Sequence, residues 1–339
     1  MFQTQKSLRI FERRRFLSVF SGLFCSKERH ADKKLNKKEE FLNMELTRKQ
    51  FDLLAAAATA SAPLSQRELE KLTGHSLGTV NRVVKELTEL GYLADGAVTN
   101  SGVNALEPYR AKRAVFIAAG FGSRMVPITF NTPKPLVRVH GVRIIDHLLD
   151  ACLRSGISEI YIVRGYLAEQ FDQLLYKYPM IRFLENPVYN EANNISSALV
   201  ARYLLSNAYV FEADLLLSNP DIIPKYHYRS NFLAIRKERT DDFCFEEKNG
   251  IITEEKVGGE SCWQMVGISY WNEADGHKLS QDIADIYASP GGKERYWEQV
   301  PLIYRRNHYA VEVRECLDAD IVEIDTFREL KAIDRTYDV

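Results

Sequence analysis

Arg124 and Lys134 are the residues whose setting most narrows the chemistry of this sequence. They lie in VFIAAGFGSRMVPITFNTPKPL, residues 115–136, where an apolar run stops at Gly120 and Gly122, an arginine follows, and a lysine stands between Pro133 and Pro135. Glycines after a buried strand let a ligand approach the backbone and permit the positive dihedral angles that gather N–H groups around an anion. Phosphate is the natural guest of such a loop. The segment has no G-K-[ST] and no third glycine at dinucleotide spacing, so it is neither a P-loop nor a dehydrogenase fingerprint. Further along, VFEADLLL sets Asp214 at the end of an apolar run.

Around these residues, AVFIAAG, EIYIVRG and NAYVFEADLLL read as buried strands, and IIDHLLDACLRSG reads as an amphipathic helix between the first two. Strand alternating with helix predicts an α/β domain built on a doubly wound, mostly parallel sheet, with ligands beyond the carboxyl ends of its strands. Upstream the pattern is different. TRKQFDLLAAAATA predicts a helix, Ser65 and Ser76 are placed to cap two more, Gly74 ends the first of these, and Asp95-Gly96 suits a tight hairpin. Three helices and a hairpin resemble a winged helix-turn-helix domain of the MarR-like kind. The polar face of its last helix carries Thr79, Asn81, Arg82 and Lys85, which could touch DNA phosphates and base edges or could be the solvated face of a docking module. The expected organisation is an arm over 1–43, a winged helix over 44–106, a linker over 107–113 and an α/β domain over 114–339.

A formal net charge of -1 on 339 residues excludes a chain coated in positive charge, so any DNA contact must be local. Five scattered cysteines (Cys25, Cys152, Cys244, Cys262, Cys316) suggest neither a disulfide framework nor a zinc site, which fits a reducing, cytoplasmic setting. No apolar run reaches the roughly 18 residues of a membrane span. The stretch ERRRFLSVFSGLFC has arginines before a short apolar segment, as a secretory signal would, but serines and a glycine break it and no small-residue cleavage site follows. The arm is therefore expected to be basic and disordered, or to precede a physiological start at Met44.

The full motif A-A-G-x-G-S-R-x-x-P-x-T-x-x-x-P-K-P-L closely resembles the signature of sugar-phosphate nucleotidyltransferases of the MobA-like superfamily and of CTP:phosphocholine cytidylyltransferases, from about Ala114 onward. The resemblance implies a nucleotide held by Ala119, Gly120, Gly122, Ser123 and Arg124, with Arg124 on the departing phosphates and Lys134 on the α-phosphoryl group. It implies Mg²⁺ on Asp214, a carboxylate that suits a hard cation. Glu212, two residues earlier, is assigned to the opposite face of the strand. The second metal ligand is expected at Glu298, which follows Trp297 where phosphocholine-type enzymes often show Trp-Asp, with Asp325 of EIDTFREL in reserve.

ENPVYNEANNISSALVARYL resembles the phosphocholine branch, and Asn193 and Asn194 offer donors and acceptors for a pyrimidine edge or a cap for the following helix. A quaternary ammonium is read by aromatic faces, for which Trp263, Tyr296 and Trp297 are the candidates. These residues together lead to the expectation of Mg²⁺-dependent CMP transfer from CTP to phosphocholine. The alternatives are a sugar phosphate or aminoalkyl phosphonate as acceptor, or a transcriptional regulator that uses the transferase fold to sense a metabolite.

Overall fold

The computed structural model describes residues 45–338, so the expectations for the arm, the signal-like stretch and Met44 lie outside the described residues. The chain divides into two compact units between Ala105 and Leu106.

The first unit has helices α1 (Arg48–Thr59), α2 (Gln66–Thr73) and α3 (Leu77–Glu89), then strands β1 (Leu93–Ala94) and β2 (Ala97–Val98), then α4 (Asn100–Leu106). Each start and stop has its local cause. Ser65 and Glu68 form a reciprocal capping box on α2, Gly74 ends it at φ 69°, and Ser76 caps α3. Asp95 and Gly96, at φ 49° and 77°, turn β1 into β2. Val80, Val83 and Leu87 of α3 are buried with Phe51, Leu53 and Leu54 of α1. On the outer side of α3, Asn81, Arg82 and Lys85 are exposed, whereas Thr79 is half-buried and its hydroxyl meets the Ser76 cap. Arg82 pairs with Glu86 at 3.2 Å and Lys85 with Glu89 at 3.9 Å, so both cations already have a carboxylate one turn on.

The expected linker is not a free connector. Within 107–113 a short 3₁₀ turn (Glu107–Tyr109) leads to Ala111, which is buried and donates its N–H to the Lys225 carbonyl at 2.9 Å, and Arg113 already opens the first strand of the second unit.

That unit contains β3 (Arg113–Ile117), the small hairpin β4 (Arg138–Val139) and β5 (Val142–Arg143), α5 (Ile144–Arg154), β6 (Glu159–Arg164), β7 (Ile181–Glu185), α6 (Ile195–Ala201), β8 (Ala208–Glu212) and β9 (Leu215–Leu217). The long strands β10 (Asn231–Lys248) and β11 (Ile251–Trp271) follow, then α7 (Glu273–Ala288), β12 (Glu312–Cys316), β13 (Ile321–Glu323) and α8 (Phe327–Ile333). The seven-stranded sheet runs β10-β12-β11-β8-β3-β6-β7. The block β8-β3-β6-β7 is parallel, and β11 joins it antiparallel through Ile268↔Phe211. Side-chain alternation on β3 sends Ala114 and Phe116 into one core with Leu148 and Leu149 of α5, and Val115 into the other with α6 and α7. Helices therefore cover both faces of a mostly parallel sheet.

Phe211, fully buried, stacks on Phe116 with ring centroids 4.7 Å apart. All three tryptophans of the chain (Trp263, Trp271, Trp297) belong to this unit, so intrinsic fluorescence reports on it selectively. Phe211→Ala is expected to lower its stability by about 3–5 kcal/mol in fluorescence-monitored denaturation; a loss well under 1 kcal/mol would show that the stack contributes little.

Candidate active site

The loop after β3 is packed against the lysine it was expected to accompany. Gly122 sits at φ 61°, and a Cβ there would lie 3.0 Å from the Lys134 Cβ and 3.2 Å from the Thr129 Cγ2. The Thr129 hydroxyl donates to the Gly122 carbonyl at 2.9 Å, fixing the turn. Gly120 does not share the expected positive φ, and a Cβ on it would meet nothing within 4 Å. Ala119 is buried and its carbonyl accepts the Tyr166 N–H at 3.0 Å, while Ser123 and Arg124 form the following 3₁₀ turn.

Lys134 is only 7% exposed. Its Nζ lies 2.6 Å from Asp214 Oδ2 and 2.9 Å from Asp325 Oδ1, and Arg124 reaches the other oxygen of Asp325 at 2.7 Å. Burial alone would lower the proton affinity of Lys134, but Asp214 and then Asp325 reverse this and hold it above the usual lysine value. Burial likewise works against the charge on Asp325, and Lys134 and Arg124 pull it below the ordinary carboxylate range. These residues are far apart in sequence. They meet because β9 pairs with β13, Leu215 opposite Glu323, and the Ile324 N–H donates to the Asp214 carbonyl at 3.3 Å. A cavity of about 260 Å³ opens here, lined by Gly120, Gly122, Ser123, Arg124, Lys134, Asp214 and Asp325.

Asp214 is also the centre of an acidic group. One carboxylate oxygen each from Glu212, Asp214 and Glu323 lies within 4.8 Å of the others. The assignment of Glu212 to the opposite face is overturned: side chains alternate with a period of two, so positions 212 and 214 share a side. Gly267 on the neighbouring β11 makes room for it, since a Cβ there would come within 2.4 Å of Glu212 Oε2 and 2.7 Å of its Cβ. Desolvation first, then Glu298 and Asp214, push the Glu212 carboxyl well above its usual range. Asp214 Oδ1 is buried without a hydrogen-bond partner. An unpartnered carboxylate oxygen among crowded acids fits a hard divalent cation, and Glu212, Asp214 and Glu323 are the side chains that could hold one. Glu298 is not in this trio.

A second cavity, of about 480 Å³, shares Gly120, Arg124, Asp214 and Asp325 with the first and extends to Asn194, Asp242, Phe243, Met265, Tyr296 and Glu298. Tyr296 is half-exposed there with Phe243 edge-on at 5.5 Å. Trp297 is a correction: it is 3% exposed and packed among Phe232, Trp271 and Val300, so it is core and cannot face an acceptor. Trp263 lines neither cavity and carries the Arg236 guanidinium over its ring at 5.2 Å. Asn194 lines the chamber, but its Oδ1 accepts the Trp297 N–H at 2.8 Å and its Nδ2 faces Glu298 Oε2 at 3.4 Å. Asn193 donates to the Glu294 carbonyl at 3.2 Å and does not line the cavity. Asn194 starts α6 without a side-chain cap bond.

Comparison with known proteins bears on both units. Residues 113–242 match the nucleotidyl transferase family model, and residues 45–97 match the MarR family. The 2-aminoethylphosphonate cytidylyltransferase of Lancefieldella rimae is 35% identical over 231 residues, covering 66% of this chain and 92% of the relative. The chain belongs to the nucleotidyl transferase family. The choline-phosphate cytidylyltransferase of Streptococcus pneumoniae is 30% identical over 66% of this chain and 96% of its own. A solved CTP:phosphocholine cytidylyltransferase from the same organism superposes with a TM-score of 0.61 at 28% identity, over 67% of this chain and 99% of that one.

Sequence reasoning missed Glu212, Glu323, Asp242 and Gly267 in this nucleotidyl transferase. Correct use of strand alternation would have found Glu212. The others come from the β10–β11 hairpin and from β13, whose positions depend on long-range pairing. Gly267→Ala is expected to displace Glu212 and cut turnover by on the order of a hundredfold, the cost of about 1 Å of misplacement in a reacting site, while far-UV circular dichroism stays unchanged. Near-normal turnover would show that Glu212 does not need its present position.

Proposed function

We propose that this chain is a Mg²⁺-dependent cytidylyltransferase that moves CMP from CTP onto a small phosphonate or phosphate monoester carrying an amine, with 2-aminoethylphosphonate as the foremost acceptor. The observation that carries the reading is the pair of joined cavities: one lined by the glycine loop with Arg124 and Lys134, the other acidic and aromatic, both bordered by Asp214 and Asp325. A triphosphate suits the first and an ammonium-bearing acceptor the second. The relative from Lancefieldella rimae supports the phosphonate. Phosphocholine, the acceptor first expected, was to be read by Trp263, Tyr296 and Trp297, and of these Tyr296 alone lines the chamber.

In this mechanism an acceptor oxygen attacks the α-phosphorus of CTP, a P–O bond forms, and the bond to the leaving pyrophosphate breaks. Arg124 and Lys134 leave their shared partner Asp325 to meet phosphate oxygens, Lys134 at the α-phosphoryl group and Arg124 at the departing pair. Asp214, Glu212 and Glu323 would hold Mg²⁺, which supplies charge neutralisation at the phosphates. Phosphonate and phosphate oxygens are competent nucleophiles near neutral pH, so no side chain has to act as a general base. The described cysteines are free and buried, and no helix among the described residues is long and apolar enough to cross a membrane, in keeping with work in a reducing cytoplasm.

Pyrophosphate release, measured with CTP, Mg²⁺ and a panel of acceptors, tests the function. Lys134→Ala is expected to lower kcat by on the order of a hundredfold or more, and removal of Mg²⁺ by a chelator to abolish turnover. Robust release with a chelator present, or none with any amine-bearing acceptor, would overturn the reading.

For the first unit we propose DNA contact through Asn81, Arg82 and Lys85, weakened by the glutamates that already pair with both cations. In fluorescence polarisation against DNA upstream of its own gene, affinity is expected to fall with salt, and Arg82→Ala to reduce the logarithmic salt slope by about 1. Binding without salt dependence would assign the unit to docking.

A further inference from the structure

The β10–β11 hairpin is bent double. Phe245 stands opposite Glu255 in the hairpin register but also pairs with Trp263, and Cys244 pairs both with Lys256 and with Gln264, so the tip curls back over the base of β11. Gly258 and Ser261, at φ 73° and 49°, lie at the bend. Residues opposite one another in a ladder project to the same side. Glu255, Phe245 and Trp263 therefore share a face, and the two-residue alternation adds Phe243, Met265 and Gly267, all three of which line the acidic chamber.

On this otherwise apolar face Glu255 is out of place. It is 7% exposed, and its Oε2 has no hydrogen-bond partner. Burial pushes its carboxyl up to about 7. Glu298, 2% exposed and part of the chamber wall, is close enough to feel it: burial first, with repulsion from Glu255 adding to it, pushes Glu298 up to about 8. Neither acid has an ion-pair partner among the described residues, and the Glu298 carboxyl is held by its own backbone N–H and by the long contact to the Asn194 amide at 3.4 Å. Two adjacent buried carboxyls without a cation give up part of their charge near neutral pH, and a positive group at the chamber end of the pair would restore it.

We propose that Glu298, at the chamber wall, and Glu255, behind it, form the seat for the acceptor's ammonium head, with Glu255 a specificity-determining residue that acts through its charge. The seat rests on the amine-acceptor reading above and goes further, because it separates kinds of amine. A primary ammonium has three N–H donors for carboxylates, whereas a quaternary ammonium has none and depends on ring faces. Of the three rings first assigned to a cage, only Tyr296 lines the chamber, joined there by Phe243. Two acids and two rings select the primary amine.

The test compares 2-aminoethylphosphonate with n-propylphosphonate, an analogue of nearly the same shape whose tail lacks the ammonium charge, and with phosphocholine, by kcat/KM in the full-length wild type and in Glu255→Gln and Glu298→Gln. Both substitutions keep shape and remove an acid that can take up negative charge, and thermal unfolding with and without CTP checks that the fold and nucleotide site persist. The wild type is expected to prefer the primary amine over both other acceptors. Each variant is expected to shrink the preference over n-propylphosphonate by on the order of tenfold, through KM for the amine rather than KM for CTP. Glu255→Asp should restore part of it. A purely structural role would slow both phosphonates equally and leave their ratio intact, and that result would overturn the seat. Wild-type turnover of a sugar 1-phosphate but of none of the amines would overturn the amine-acceptor reading, and the seat with it.

Discussion

A lysine withdrawn from water holds its charge only if anions are withdrawn with it, and Lys134 obtains two, Asp214 and Asp325. Each anion comes from a different part of the chain, one just past β8 and the other just past β13. The cluster therefore depends on the β9–β13 ladder and on the turn at Gly122, which has no side chain to push Lys134 away. The same constraint prepares the site for a ligand. Asp325 occupies both cations, as a phosphate could, so an arriving triphosphate exchanges one anionic partner for another and does not have to order two free side chains.

The acids on the other side of Asp214 follow opposite logic. Glu212 and Glu323 crowd against Asp214 with no cation paired to either of them among the described residues, and their repulsion favours whatever cation can enter. Asp214 belongs to both groups: one oxygen is held by Lys134 and the other is buried and unsatisfied. This division lets a single aspartate orient a cationic side chain and still offer an oxygen to a metal.

Much of this was legible in the sequence because it rests on local chemistry. The glycine loop, Arg124, Lys134, Asp214, the caps at Ser65 and Ser76 and the Asp95-Gly96 turn are each set by residues within a few positions. The β10–β11 hairpin was not seen, although Asn249-Gly250, at φ 55° and 78°, is a strong turn signal, because the charged run EEKNGIITEEKVGGE lacks the alternation that marks a half-buried strand. Trp297 was misjudged for a related reason. Its neighbours Tyr296 and Glu298 belong to the chamber wall, and sequence proximity says nothing about which of three successive side chains turns into the core.

The two cavities draw on different stretches of chain. Apart from Asp325, the residues lining the first cavity precede Leu215, whereas most of the chamber residues that differ from them follow Asp241 and lie on the curled hairpin or the segment around Tyr296. A substitution at Phe243 or Met265 would thus reshape the chamber wall at residues that do not line the cavity around Lys134. The walls of the two cavities are thus supplied by parts of the chain that can be altered one at a time.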